Sequence, residues 1–389
     1  MHAGRLVFAQ LLDFAPKHQL HRCVDRYRGN SHCRRLTCHG QFVCLAFAQL
    51  TYRESLRDIE TVLRAFESKL YHAGLRGSVA RSTLADANEK RDWRIWADFA
   101  QALIARARRL YANDSFGVEL NQTAYAFDST TIDLCLRLFP WAHFRRAKAA
   151  VKMHTLIDLR ASIPCFVLVT HGKISDVTSL DFLPIEPGAF YVFDRGYTDF
   201  ARLYRFTLAG AFFVTRGKRD LDFRVVESRP VDKSTGLRCD QTIRLCGPLT
   251  SRHYPARLRR IVYVDAETGK RFVFLTNNFI LDALIIAQLY HARWKIELFF
   301  KWIKQHLRIK AFYGASENAV KTQIWIAISV YVLVAIVKKE LHLDRSLNEI
   351  LQILSLTLFE NMPISQALSQ PATEFLQPET QNQLSLFTF

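Results

Sequence analysis

No Cys-x2-Cys pair occurs in this 389-residue chain; its eight cysteines (Cys23, Cys33, Cys38, Cys44, Cys135, Cys165, Cys239 and Cys246) are scattered. A chain of this size has no need of a disulfide framework, so reduced thiols in a cytosolic protein are expected. His32, Cys33, Cys38, His39 and Cys44 lie close in sequence, but their spacing matches no standard zinc finger, and ordinary thiols are the expectation. A secretory signal is missing too, because Asp13 and Lys17 interrupt any apolar N-terminal run. The most apolar stretch, Ile324 to Val337, has 14 residues. That falls short of the ~20 that cross a bilayer, so it reads as a buried helix and no membrane partner is expected. No internal repeat and no Gly-x4-Gly-Lys-Ser/Thr loop occur. Acids are scarce: 36 Asp+Glu face 53 Lys+Arg, for a net charge of +17. That excess points to a polyanion, most simply nucleic acid.

What the chain does have is a hydrophobic fraction of 49%, enough for two or three packed units. Residues 1 to about 110 read as helical and basic, with 19 Lys+Arg against 10 Asp+Glu. Leu45 to Phe66 and Trp93 to Leu110 carry helical periodicity. Ser82 is placed to cap a short helix bearing Thr83, Asn88, Lys90 and Arg91. A helix-turn-helix reader of DNA and a bundle with a solvated basic face fit this region equally.

From about 120 the pattern changes to strands. Ala124 to Asp128 is an apolar run ending on an acid; Val151 to Leu159 and Ile163 to Thr170 follow, joined by a turn at Arg160-Ala161-Ser162. Asp176 to Leu183 reads as a short helix, Ala189 to Asp194 as another apolar strand ending on an acid, Thr198 to Leu208 as helix and Ala211 to Thr215 as strand. Three hairpin-like strands followed by helix–strand alternation predict a mixed sheet with helices on its faces. Residues 217 to about 278 interrupt with short β segments: Phe223 to Glu227, Thr242 to Cys246, Arg259 to Asp265 and Arg271 to Thr276. Beyond 310 the chain returns to helix, then ends in a polar, Gln-rich tail from about Ser369.

The most specific pattern is Tyr290-x2-Arg293-x3-Glu297-x6-Lys304. Its segment lacks Pro and Gly, and Ile286, Leu289, Ile296, Phe300, Ile303 and Leu307 form an apolar stripe, which predicts a single helix. At roughly 100° per residue the four polar residues fall within about 60° of one another. A carboxylate flanked by two cations and a phenol suits a divalent metal presented to phosphate oxygens. Asp128 and Asp194 each close a buried strand, where functional groups converge at a sheet's rim. Three such acids repel unless cations offset them, and paired Mg²⁺ ions do so in phosphoryl transfer. Asp133, Asp176 and Asp181 compete for the same role; Asp176, in a loop after Gly172-Lys173-Ile174-Ser175, is alternatively placed to orient a helix or to support the metal site from behind. His154 reads as a packed core histidine. Arg216, Lys218 and Arg219 form either a phosphate track or a solvated turn.

Phe127-Asp128-Ser129-Thr130, Phe193-Asp194-Arg195-Gly196-Tyr197 and the Tyr290/Arg293/Glu297/Lys304 signature resemble the DDE transposases of the bacterial insertion-sequence-four family. Lys152-x-His154-x-Leu156-x-Asp158 and Ile163-Pro164 stand where that family has its second and third strands. The resemblance covers most of residues 1 to 350. It implies an α/β, RNase H-like mixed-sheet catalytic core at 116–310 with a β-rich insertion at about 217–278. A helical, basic DNA-binding domain (1–115) would precede that core; C-terminal helices (311–368), open to dimerisation, and a polar tail (369–389) would follow. Asp128, Asp194 and Glu297 would be the catalytic, metal-binding triad for two Mg²⁺ or Mn²⁺ ions. Tyr290, Arg293 and Lys304 would contact end phosphates, with Arg195, Arg216, Lys218 and Arg219 as further DNA contacts. The implied partners are double-stranded DNA, as transposon ends and target, and a second protomer in a synaptic homodimer. The implied location is the bacterial cytoplasm, at the nucleoid. The implied reaction is cut-and-paste transposition: each end is nicked to leave a 3′-OH, a hairpin forms and reopens, and the 3′-OH attacks target DNA. Each strand transfer exchanges one phosphodiester for another, consistent with the missing ATP motif. Two alternatives stay open: an RNase H-like nuclease without joining activity, and an inactive DNA-binding relative. In related enzymes an aromatic residue of the insertion stacks on a flipped base. This insertion has no Trp; Trp294, Tyr254, Tyr263 and Phe272 are open as substitutes, and the sequence assigns the role to none of them.

Overall fold

The computed structural model describes residues 5–31, 33, 35–145, 148–218, 220–306 and 312–369. His32, Arg219, Leu307 and the polar tail from 370 lie outside the described residues.

The chain opens with helices α1 (Val7–Asp13), α2 (Lys17–Arg26), α3 (Cys38–Leu50), α4 (Leu56–Ala65), α5 (Glu67–Leu70), α6 (Arg81–Lys90) and α7 (Arg94–Leu110). The periodic stretch 45–66 is therefore two helices. Tyr52 takes a left-handed conformation (φ 56°) after α3, and Ser55 with Asp58 forms a capping box that starts α4 anew. Ser82 does not cap α6: the helix begins at Arg81 behind Ala80, with no side-chain cap, and Ser82 lies in its first turn.

Strands β1 (Ala124–Leu134), β2 (His143–Arg145), β3 (Lys148–Asp158), β4 (Ile163–His171) and β5 (Phe190–Phe193) come next. After them run α8 (Phe200–Leu208), β6 (Phe212–Arg216), β7 (Phe223–Arg229), β8 (Leu237–Leu245), α9 (Pro248–His253), β9 (Leu258–Val264) and β10 (Arg271–Thr276). The expected helix at 176–183 is a 3-10 turn, Asp176–Phe182. All ten strands share one sheet in the order β2-β3-β1-β5-β6-β10-β9-β8-β7, with β4 also pairing β3. β1, β3 and β4 form an antiparallel meander, whereas β1, β5 and β6 run parallel. That sequence of pairings is an RNase H-like core. The insertion strands prolong the same sheet, because β10 lies antiparallel to β6.

Alternation along the strands gives the sheet two apolar faces. Ala124, Ala126, Phe190 and Val192 pack on the side of the N- and C-terminal helices. Tyr125, Phe127, Tyr191 and Phe193 pack on the other side, under α8.

The chain closes with α10 (Ala283–Ala292), α11 (Trp294–His306), α12 (Glu317–Glu340), α13 (Leu347–Thr357) and α14 (Ile364–Leu368). The single helix expected over the signature is thus two, meeting at Arg293, which keeps right-handed helical angles (φ −56°, ψ −28°). Ile286, Leu289, Ile296, Phe300 and Ile303 are buried as the stripe predicts. α12 is apolar all round because protein surrounds it: α3, α6, α7 and α13 pack on it, and every residue from Ile324 to Val337 is buried. It is long and apolar enough to cross a membrane, yet 94% of its most apolar window lies inside the protein.

Candidate active site

Phe127 and Phe193 are direct partners on the parallel strands β1 and β5, and both are fully buried. Asp128 and Asp194 follow them, so the two acids emerge side by side from strands ~4.8 Å apart. Asp128 does not close its strand as expected: β1 continues to Leu134, pairing Asp128 with Thr155 of β3, and the partner strand β5 alone stops at this level. β5 ends at this point, and Asp194 precedes a 3-10 turn, Arg195–Tyr197. The backbone N–H groups of Arg195 and Gly196 donate to its carboxylate.

The third acid comes from the α10–α11 junction. Arg293 Nη1 donates to Asp128 Oδ2 at 3.0 Å, and Nη2 donates to Glu297 Oε1 at 2.5 Å. The Tyr290 hydroxyl donates to Asp194 Oδ1 at 3.2 Å. The signature therefore reaches both strand acids, and one guanidinium spans the first acid and the helix acid. Among the described residues its buried Nε has no hydrogen-bond partner. Tyr290 is held from behind by Phe274, at 4.9 Å between ring centroids.

The electrostatics follow from this crowding. Burial pushes Asp128 up; the Ser129 N–H and Arg293 pull it down, and Asp194 and Glu297 push it further, leaving it above the ordinary carboxylate value. Burial also pushes Asp194 up, but backbone N–H groups, Arg293 and Tyr290 outweigh it, so Asp194 ends below its usual value. Burial raises Tyr290 to about 12, so its hydroxyl is protonated and donates.

A layer of polar groups supports Asp128; Asp176 was open to such a role in the sequence, but its links through Ser129 and Lys152 were not legible there. Ser129 donates its backbone N–H to Asp128 at 2.8 Å and its hydroxyl to Asp176 at 2.9 Å. Lys152 Nζ lies 3.2 Å from Asp176 and donates to the Ile174 carbonyl. His154 is fully buried and bonds Thr170 through Nε2. Asp176 thus stands one residue from the first acid, held by Ser129 and Lys152. Asp133 projects exposed further along β1, and Asp181 is clamped by Arg202 and Arg205, away from the site. Lys295 was also missed: its Nζ donates to the carbonyls of Leu159 and Phe116, pinning the start of α11 beneath the sheet. Its position two residues after Arg293, on the opposite side of the helix, was the available signal.

The remaining cations lie at the periphery. Arg195, Lys218 and Lys304 are exposed, and Arg216 stacks over Phe272 at 5.4 Å. Lys304 stands seven residues beyond Glu297, or ~10 Å along α11. A cleft of 540 Å³ opens beside the acids, lined by Tyr263, Phe272, Tyr290, Trp294, Lys270 and Lys295 among others. Tyr254 is corrected as a stacking candidate: it is buried under α8 and bonds Thr207.

Among the described residues, no three His, Cys, Asp or Glu side chains close on a single ion as they stand. The donor set nevertheless fits a divalent cation. Three carboxylates, those of Asp128, Asp194 and Glu297, converge where, among the described residues, Arg293 is the one cation bonded to two of them, and burial of Asp128 raises the cost of leaving its charge unpaired. Hard carboxylate oxygens suit Mg²⁺ or Mn²⁺.

Comparison with known proteins gives a concordant picture. Residues 120–333 match the family model described as transposase DDE domain, and residues 3–76 match a domain of unknown function, DUF4372. A Sinorhizobium fredii protein named as transposase y4zB is 33% identical over 301 residues, covering 76% of this chain and 81% of the relative. A Geobacillus stearothermophilus protein named as the transposase of insertion sequence element IS5377 is 32% identical over 53% of this chain and 54% of the relative. The solved piggyBac transposase synaptic complex with hairpin DNA superposes with a TM-score of 0.46 at 10% identity, over 94% of this chain and 82% of that one. At that level the likeness decides nothing about the site.

Proposed function

The chain belongs to the transposase DDE-domain family, and from that premise we propose that Asp128, Asp194 and Glu297 are the catalytic acids with which it cuts and joins DNA. As a transposase it binds the ends of a mobile element, cleaves them and transfers the strands to target DNA. The observation that carries the residue assignment is the meeting of the two strand acids and the helix acid through Arg293 and Tyr290. Members of the insertion-sequence-four group carry this spacing, and we place the chain there.

Asp128, Asp194 and Glu297 would hold two Mg²⁺ or Mn²⁺ ions. Bound there, such ions would supply activation of the attacking oxygen and stabilisation of the leaving one. The chain's own residues do the rest. Tyr290 fixes the rotamer of Asp194 through its hydroxyl. Lys295 and the Ser129–Asp176–Lys152 layer hold Glu297 and Asp128 in place. Arg293 and Lys304, with Arg195, Arg216 and Lys218, present positive charge to backbone phosphates; Arg219 belongs with them by sequence. The helices before 115 are proposed to bind the element's ends, and Trp294, Tyr263 and Phe272 line the cleft where a displaced base would stack. The chain works as a homodimer on paired ends, at the nucleoid. Since α12 is enclosed by its own protomer, a dimer contact after residue 311 falls on α13 and α14, where Leu356 is exposed.

The test is joining. Purified protein is given a pre-cleaved element end with a free 3′-OH, target plasmid and Mg²⁺. Strand-transfer joints are expected. Nicks without joints would make the chain a nuclease, and end binding with neither would make it an inactive relative.

A further inference from the structure

Three arginines lie level across the insertion strands, far from the acids. Arg224 on β7 is the direct partner of Arg244 on β8. Arg257 precedes Leu258, the β9 partner of Ile243, which brings it level with Arg244. Ile243, Leu245 and Leu258 are buried under α8 and α9, so the alternating arginines face the opposite side, and all three are exposed. Like charges directly opposite on neighbouring strands destabilise a sheet. The same face supplies an acid where arginine is structural: Arg259 and Arg229 share the buried Asp240, with contacts from 2.7 to 3.4 Å. The row has no such partner. Among the described residues none of its side chains forms an ion pair or hydrogen bond, and Asp222, two residues before Arg224, pairs with none of them.

We propose that Arg224, Arg244 and Arg257 form a second DNA-backbone contact, separate from the catalytic cleft, which grips consecutive phosphates of one strand. Neighbouring side chains ~4.8 Å apart give a row ~10 Å long, the scale of two to three phosphates. The row lies at the Leu245 end of β8, and the catalytic crest is at the opposite end of the sheet. At ~3.4 Å per residue β8 alone separates them by ~25 Å, so duplex held in the cleft must continue well beyond it to reach the arginines. The inference rests on the reading of the chain as a DNA transposase.

The experiment uses the full chain and a fluorescent 50-base-pair duplex of random sequence, with anisotropy titrations at 50 to 300 mM NaCl. Each phosphate contact contributes about 0.9 to the slope of log affinity against log salt. The triple variant Arg224→Gln, Arg244→Gln, Arg257→Gln is expected to flatten the slope by about 2 to 3. Its melting temperature is expected to be unchanged or higher, since repulsion has been removed. The corresponding triple lysine variant retains the slope. An unchanged slope overturns the proposal, and so does a lowered melting temperature, which would make the arginines structural. Wild-type protein is assayed in parallel for joining of the element's own ends. Failure there sinks the transposase reading, whereas successful joining with an unchanged slope sinks only the arginine row.

Discussion

Replacing Arg293 by Gln should expose what the guanidinium does while the acids hold no ion. Arg293 and Asp128 have side chains only 15% and 22% exposed and stand 3.0 Å apart. A charge-assisted hydrogen bond in that setting contributes about 1.5–3 kcal/mol. The Glu297 arm is shorter, at 2.5 Å, but its carboxylate is 59% exposed, so solvent screening leaves at most ~0.5 kcal/mol. Loss of the guanidinium also removes the positive charge that draws down both Asp128 and Asp194. In EDTA at neutral pH the variant should therefore be about 2 kcal/mol less stable, a melting shift of a few degrees. Metal should act in the opposite sense. In the wild type an incoming ion competes with Arg293 for Asp128 and Glu297; in Arg293→Gln it does not. Calorimetric titration with Mn²⁺ should show the variant binding about tenfold tighter, ~1.4 kcal/mol, and added metal should restore its melting temperature. Equal stability in EDTA, or weaker Mn²⁺ binding by the variant, would refute the view that Arg293 stands in for a cation.

Substituting Asp128, Asp194 or Glu297 by Ala should lower end cleavage at least 1,000-fold, on the order of 4 kcal/mol of barrier, while gel-shift affinity for DNA persists; equal activity in all three variants would remove the triad. The pH dependence of metal-free stability should carry opposite contributions from the two strand acids. Asp128, raised in the fold, binds its proton more tightly than in the unfolded chain, so its penalty is present at neutral pH and fades as pH falls through the raised value; Asp128→Asn should show a flatter profile in EDTA. Asp194, lowered in the fold, stabilises above the ordinary carboxylate range, and that stability is lost as pH falls through the lowered value. Arg259→Met leaves Asp240 buried with only the longer Arg229 contact and should cost about 3 kcal/mol in urea unfolding. Tyr290→Phe removes the donor to Asp194 and should cost about 1 kcal/mol, with cleavage slowed more than DNA binding is weakened.

The strand acids were legible because their signal is local. Ala124 to Phe127 and Phe190 to Phe193 are apolar runs that each stop at an Asp, and their pairing sets the acids side by side; that β1 runs on past Asp128 to Leu134 was not legible, because the polar residues Ser129, Thr130 and Thr131 follow there. The Tyr290-x2-Arg293-x3-Glu297 spacing was legible because residues three and four apart share a helix face, whereas Lys304, expected on the same face, stands exposed further along α11. The break at Arg293 was not legible, since no Pro or Gly marks it and the residue keeps helical angles while its side chain turns to the acids. The pairing of β10 with β6, which makes the insertion part of the catalytic sheet, joins segments about 60 residues apart and leaves no mark in either. Asp176 was legible as a loop acid placed to orient a helix or to support the metal site, but not by which contacts. Its tie to Asp128 runs through Ser129 and Lys152 and exists only once β1, β3 and the turn after β4 are assembled. The row Arg224, Arg244, Arg257 is likewise invisible until strand register aligns it.

The most direct measurement is anomalous diffraction from crystals of the protein with an element-end duplex and Mn²⁺. Manganese peaks within about 2.0–2.5 Å of carboxylate oxygens of Asp128, Asp194 and Glu297, with Arg293 moved onto a backbone phosphate, are the predicted result. Peaks elsewhere, with Arg293 still bridging Asp128 and Glu297 beside bound DNA, would contradict it.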